Sequence, residues 1–237
     1  KSHTMQQRTD CFIPLGDETQ TGQTLRELRT DPHVNRIFLI GTSGKTEAGA
    51  ETGDILHTDF LFSTQTLRLM AEHCQSEYLL FYTKTSPLKL GYQALNRLLG
   101  VAKDTGASLI YTDHYIVTPD GERKKNPVID YQRGSLRDDF CFGSLLLFRS
   151  ADLKAYFDRQ EEIPAYRYAG LYDLRLFLSR TGTPFHLNEY LYTEIENDTR
   201  KSGEKNFDYV DPKNREVQLE MEQACTEHLK AIDAWLA

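Results

Sequence analysis

Three short stretches of this sequence carry residue types that could do chemistry. Arg137-Asp138-Asp139 holds an adjacent acidic pair, the oxygen-rich grouping that hard divalent cations take as ligands. Adjacent charges are equally what a solvated loop carries, and that alternative stays open. Asp113 closes the apolar run Ser108-Leu-Ile-Tyr-Thr-Asp113, and the carboxyl end of such a strand is where open α/β folds bind ligands. A turn-capping role fits Asp113 as well. His114 has no second histidine or cysteine at metal spacing, so it reads as a surface residue. The stretch from Asn197 to Tyr209, with Arg200 and Lys201, mixes cations, hydroxyls and aromatics without apolar periodicity. A flap closing over a diphosphate would look like this, and so would an ordinary exposed connection.

The elements that must position these residues are legible from periodicity. Cys11-Phe-Ile-Pro14 reads as a strand running into the turn Pro14-Leu-Gly-Asp17, and Leu25 and Leu28 share one face of a helix that Asp31-Pro32 stops. Val34 to Ile40 and Tyr78 to Tyr82 are further core strands. Between them Lys45 to Asp54 is polar loop, and Ser63 caps a helix to about Cys74. Leu95, Leu98, Leu99 and Ala102 mark a third helix, after which Ser108 to Asp113 returns as a strand. Strands alternating with amphipathic helices imply a mixed, mostly parallel sheet flanked by helices. Thr118-Pro-Asp-Gly121 is then a turn, Glu122 to Asp139 is polar and irregular, and Gly143 to Arg149 is a strand. Helices are expected from about Ala151 to Arg159, Leu171 to Ser179 and Arg215 to Trp235.

Composition narrows the function classes. With 237 residues, 39% hydrophobic and 27% charged, one sizeable core and hence one domain is expected. A net charge of -7 argues against a nucleic-acid partner, which needs a concentrated cationic face. Cys11, Cys74, Cys141 and Cys225 form no CxxC pair and read as small core residues in a reducing compartment. No apolar run approaches the roughly 20 residues of a membrane span, so a cytoplasmic domain, free or beside a membrane, is expected. Lys1 to Thr4 reads as a cloning remnant before Met5. The abrupt end after the last helix reads as residues 5–237 cut from a longer protein, with a C-terminal fused domain as a candidate partner.

The order of these landmarks resembles family 2 glycosyltransferases of the inverting, GT-A type. Their opening IIPxYN corresponds to Phe12 to Asp17, and their strand with its Asp-x-Asp motif corresponds to Ser76 to Pro87. Leu109 to Tyr115 with Asp120-Gly121, Asn126-Pro127 and Asp130-Tyr131 is similar to a following segment of one branch, as are Gly170 to Leu176 and Leu187 to Tyr192 to later ones. The resemblance implies a GT-A (Rossmann-like) fold and a nucleotide-sugar donor, with inverting transfer to a glycan or lipid-linked acceptor. Asp173 matches the position of the base that deprotonates the acceptor hydroxyl, though an acid there also suits a helix N-terminus. Pro14, Asp17, Thr83, Lys84, Thr85, Asp113, Arg137, Arg200 and Lys201 are the candidate donor-binding residues.

One departure from the family pattern stands out. Thr83-Lys84-Thr85 replaces the Asp-x-Asp pair that ordinarily holds Mn²⁺ or Mg²⁺, and neutral hydroxyls bind such ions poorly. Positive charge for the leaving diphosphate can come instead from Lys84, or from Arg133, Arg137, Arg200 or Lys201. The pattern suits metal-free transfer, or a non-catalytic glycan- or protein-binding module on the same scaffold. A nucleotidyltransferase fits least, because the first turn is acidic where a basic, glycine-rich loop is needed. Tyr166, Tyr168, Tyr172, Tyr190 and Tyr192 could stack on sugar rings, although for most of them core filling is expected.

Overall fold

The computed structural model describes residues 7–42, 54–160, 162–196 and 212–236. In chain order the elements are β1 Thr9–Pro14, α1 Glu18–Arg29, β2 Val34–Thr42, β3 Asp54–Thr58, α2 Thr64–His73, β4 Tyr78–Tyr82, β5 Leu88–Leu90 and α3 Ala94–Thr105. They continue with β6 Leu109–Val117, β7 Arg123–Asn126, β8 Leu145–Arg149, α4 Ser150–Phe157, α5 Gly170–Thr181, β9 Pro184–Ile195 and α6 Pro212–Ala231.

The nine strands of the described residues join one sheet in the order β3-β2-β1-β4-β8-β6-β9-β5, with β7 on β6. β1 runs parallel to β2 and β4, β2 to β3, and β6 to β9, whereas β8, β5 and β7 run antiparallel to their neighbours. The expected mixed, mostly parallel architecture is what forms.

Alternation along the central strands divides the core in two, because successive side chains leave opposite faces of a sheet. Cys11, Ile13, Leu39, Leu80 and Leu147 pack with Leu25 and Leu28 of α1 and with Leu95, Leu98 and Leu99 of α3. Phe12, Phe38, Leu79, Phe81 and Phe148 pack on the other face with Leu67 and Met70 of α2, Leu153 of α4, and Leu174 and Leu178 of α5. Strands buried on both faces are why these runs are continuously apolar.

The helix boundaries follow from local chemistry. Asp17 accepts a hydrogen bond from the Gln20 amide at 2.9 Å and caps α1, and Ser63 caps α2 through the Thr66 amide at 3.1 Å. Gly106, at φ +63°, ends α3 in the left-handed conformation that glycine adopts without strain.

Several expectations need correction. Four strands lie where the sequence reading has none: β3, β5 and β7 are short and exist because longer strands offer them an edge, and β9 forms by pairing along β6. Asp54 opens β3, and the rest of the expected 45–54 loop lies outside the described residues. Cys141 is exposed and Cys225 is intermediate, so only Cys11 and Cys74 are core cysteines. His114 is buried at 2% exposure, because β6 continues past Asp113 and is flanked by β7 and β9. Among the described residues no helix is long and apolar enough to cross a membrane.

Candidate functional site

The turns after β1 and β4 meet at the carboxyl edge of the sheet. A Cβ added at Gly16 would lie 2.9 Å from the Thr85 Cβ, so glycine is what permits the close approach. Thr83 is fixed through its amide to the Ser144 carbonyl oxygen at 2.9 Å. Pro14 is buried as the last residue of β1, and the Asp17 carboxylate is occupied as the α1 cap.

Lys84 leans across this edge. Its Nζ lies 2.5 Å from Glu194 Oε2, joining the end of β4 to the end of β9. The Glu194 side chain is 3% exposed and also accepts from Ser144 Oγ. His114 Nε2 stands 3.3 Å from Glu194 Oε1 and 3.0 Å from Asn126 Nδ2. The His114 ring stacks on Tyr192, whose hydroxyl accepts from the Ser144 amide at 2.8 Å. Burial pushes the His114 pKa below its ordinary value, partly offset by Glu194 and reinforced by Lys84. Glu194 was not read from sequence as a site residue. Its signal is an acid two residues beyond Tyr192, on the same strand face.

Asp113 makes a separate set of contacts. It is 1% exposed, and its Oδ1 accepts from the Val128 amide and lies 2.9 Å from His186 Nε2. The other imidazole nitrogen of His186 lies 2.6 Å from Asp130. These contacts tie residues 126–130 to β9 at a register shift between β6 and β9.

From Thr83 a cavity of about 290 Å³ runs under α5. Its floor is Leu109, Leu146 and Phe148 of the sheet; Phe62 and the 138–143 segment form its sides. Leu171, Tyr172 and Arg175 of α5 and Met221 of α6 cover it. Gly170 lets α5 sit this close, since a Cβ there would meet the Thr64 amide nitrogen at 2.5 Å. Glu220 anchors α6 over the same place, accepting from the amides of Arg167, Tyr168 and Ala169 at 3.0, 2.7 and 3.0 Å.

Asp173 belongs to that helix but not to the cavity. The α5 turn that offers Leu171, Tyr172 and Arg175 to the cavity directs Asp173 toward α4. Its carboxylate accepts from the Tyr156 hydroxyl at 2.5 Å and from Arg159 Nη2 at 2.9 Å. It is 5% exposed. Burial and the Asp173 charge push the Tyr156 pKa well up, so the phenol keeps the proton it donates.

The remaining candidates separate. Arg137 pairs through Nε and Nη2 with Asp139, both at 2.9 Å, in an exposed fork. Asp138 is exposed and borders the cavity. Arg200 and Lys201, with the whole 197–209 flap, lie outside the described residues. Tyr166, Tyr172 and Tyr192 are buried, as core filling requires, and of the five tyrosines Tyr168 and Tyr172 border the cavity. Among the described residues no three His, Cys, Asp or Glu side chains are grouped to hold a metal ion. At the Asp-x-Asp position two hydroxyls flank an ammonium, which repels a divalent cation, so the residues present do not fit Mn²⁺ or Mg²⁺.

No family model and no curated protein matches the chain. Solved structures do. Residues 1–349 of S. aureus TarS in complex with UDP superpose with a TM-score of 0.62 at 10% identity, covering 94% of this chain and 65% of that one. The fold is that of the GT-A glycosyltransferases. TarS in complex with UDP-GlcNAc gives 0.58 at 12% identity over 94% of this chain and 71% of that one. GalNAc-T7 with UDP, GalNAc and Mn²⁺ gives 0.56 at 11% identity over 82% and 45%. The chain therefore spans between 45% and 71% of these GT-A structures. At such identities the likeness is one of fold.

Proposed function

We propose that this chain binds a nucleotide-activated sugar across the carboxyl edge of its sheet and transfers the sugar, with inversion, to a glycan or lipid-linked acceptor. The observation that carries the reading is the meeting of the Gly16 turn with the Thr83-Lys84-Thr85 turn at the mouth of the α5 cavity. That is the sheet edge at which open α/β folds take ligands. The solved GT-A structures with UDP, UDP-GlcNAc, or UDP and GalNAc support a uridine diphosphate sugar as donor class. The resemblance to family 2 supports inversion.

In this reading Lys84 supplies the positive charge that steadies the departing diphosphate, with Arg200 and Lys201 as further candidates from the later loop. Of the carboxylates that the sequence nominates, Asp138 borders the cavity, whereas Asp173 is held by Tyr156 and Arg159. Asp138 therefore takes the role of base and Asp173 that of anchoring α5 to α4. The test is titration calorimetry with UDP and UDP-GlcNAc, with and without Mn²⁺, followed by UDP release in the presence of acceptor glycans. Binding that needs no Mn²⁺ supports the reading. Absence of binding by every common nucleoside diphosphate sinks it.

A second reading, a non-catalytic glycan-binding module, is favoured by the Lys84–Glu194 pair, which already neutralises the charge that the diphosphate would need. It gains if UDP-sugars bind and no acceptor releases UDP.

A further inference from the structure

The cavity under α5 is lined by a positive charge that the described residues leave unanswered. Arg175 is 5% exposed. Its Nη1 donates to the Arg137 carbonyl oxygen at 2.6 Å, while Nε and Nη2 have no hydrogen-bond partner among the described residues. Neighbouring acids do not supply one, since Asp139 is taken by Arg137 and Asp138 is exposed at the cavity's edge. The rings of Tyr172, Phe142 and Tyr131 lie 4.7, 5.8 and 5.9 Å from the guanidinium carbon. Aromatic faces attract a cation but do not satisfy its N–H groups. Desolvation pulls the Arg175 pKa down, as befits a buried cation short of counter-charge. Such a group is costly to keep, and an unsatisfied buried donor edge calls for a partner beyond the described residues.

The unpaired Nε–Nη2 edge, covered from solvent, has a definite shape. It presents two parallel donors, the fork that matches a carboxylate or phosphate, and Arg137 uses the same edge on Asp139. Phe142 and Tyr172 line the space beside it. A volume of about 290 Å³ suits one small ring rather than an extended chain.

We infer that this cavity is a subsite for an acidic sugar, whose carboxylate or phosphate is taken by Arg175 while Phe142 and Tyr172 hold the ring. The choice of a sugar rests on the transferase reading above; the choice of an anion rests on Arg175 alone. The acidic sugar is then the acceptor unit or the transferred unit.

The test is calorimetric titration of the full chain with glucuronate, glucose 6-phosphate, glucose and UDP. At least one of the acids is expected to bind roughly tenfold or more tighter than glucose, the scale of a hydrogen bond to a charged group. Glucuronate alone identifies a carboxylate subsite, and glucose 6-phosphate alone a phosphate subsite. Arg175→Gln is expected to bring the acid's affinity down to that of glucose, with the melting temperature held or raised because a buried unpaired charge is gone. Arg175→Lys, which keeps charge and loses the fork, is expected to weaken the acid roughly tenfold and decides the matter if the glutamine variant does not fold. Equal binding of acids and glucose overturns the proposal, as does acid binding that neither variant weakens. So does loss of UDP binding in Arg175→Gln when neither acid binds, because Arg175 would then serve the donor. Acid binding without binding of UDP or any other common nucleoside diphosphate leaves the anion subsite standing and removes the transferase reading.

Discussion

Lys84 Nζ lies 2.5 Å from Glu194 Oε2, so the turn after β4 is clasped to the end of β9 by one ion pair. The partners are unequal, since Lys84 is 52% exposed and Glu194 is 3% exposed. A buried carboxylate therefore depends on a half-solvated ammonium.

Removing that ammonium should weaken the fold. Breaking a fully buried pair costs about 3–5 kcal/mol, and the exposure of Lys84 reduces this to an expected ~1–2 kcal/mol for Lys84→Met. Urea denaturation measures it. The same variant is expected to lose UDP affinity, whereas Glu194→Gln, which frees the Lys84 charge, is expected to tighten UDP.

A pH dependence follows from His114, whose folded pKa is lowered chiefly by burial. The unfolded chain takes up a proton near the ordinary value of 6.5 while the folded chain does not, so stability is full above that pH and declines as pH falls below it. His228, also lowered, first by burial and then by Arg180 and Arg175, adds to the same slope. The melting temperature should drop between pH 7 and pH 5, and His114→Gln should flatten part of that drop. A wild-type melting temperature that stays level across this interval contradicts the account.

Asp173→Asn separates anchoring from catalysis. If the carboxylate holds Tyr156 and Arg159 as the contacts indicate, the variant leaves Arg159 buried without its counter-ion and costs about 3 kcal/mol. Asp138→Asn should leave the melting temperature unchanged and abolish transfer. A stable but inactive Asp173→Asn would return the base role to that residue.

Gly143 sits at φ +73°, and a Cβ there would lie 2.5 Å from the Tyr192 hydroxyl. Gly143→Ala should cost on the order of 2 kcal/mol from backbone strain and displacement of Tyr192. Chemical denaturation of Gly143→Ala, Tyr192→Phe and the double variant would detect the clash as a combined loss smaller than the sum.

What could be read from the sequence depended on how local the determining physics was. Phe12 to Pro14, Tyr78 to Tyr82 and the Leu95 to Ala102 face declare themselves, because burial on both sheet faces or one helix face leaves a period in the residues. Leu88 to Leu90 and Arg123 to Asn126 carry no such period, since β9 and β6 make them strands. The site divides similarly. Thr83 follows the legible strand Tyr78 to Tyr82 and borders the cavity. The sequence reads Asp173 near the start of a helix, whereas the contacts of its carboxylate, Tyr156 and Arg159, come from a separate segment. Arg175 carried a legible clue, lying three and four residues after Tyr172 and Leu171 and hence on their face. A charge within an apolar helix is ordinarily taken as solvated, and its lack of a partner is visible only once the neighbours are in place.

Met221 roofs the cavity from a helix that packs on α5 through Ala224 and whose Glu220 carboxylate accepts from three successive amides. Part of the chamber's cover is thus contributed by the last described helix rather than by the sheet that forms its floor. Deuterium uptake at residues 167–169 would report that helix lifting while the strands beneath remain protected.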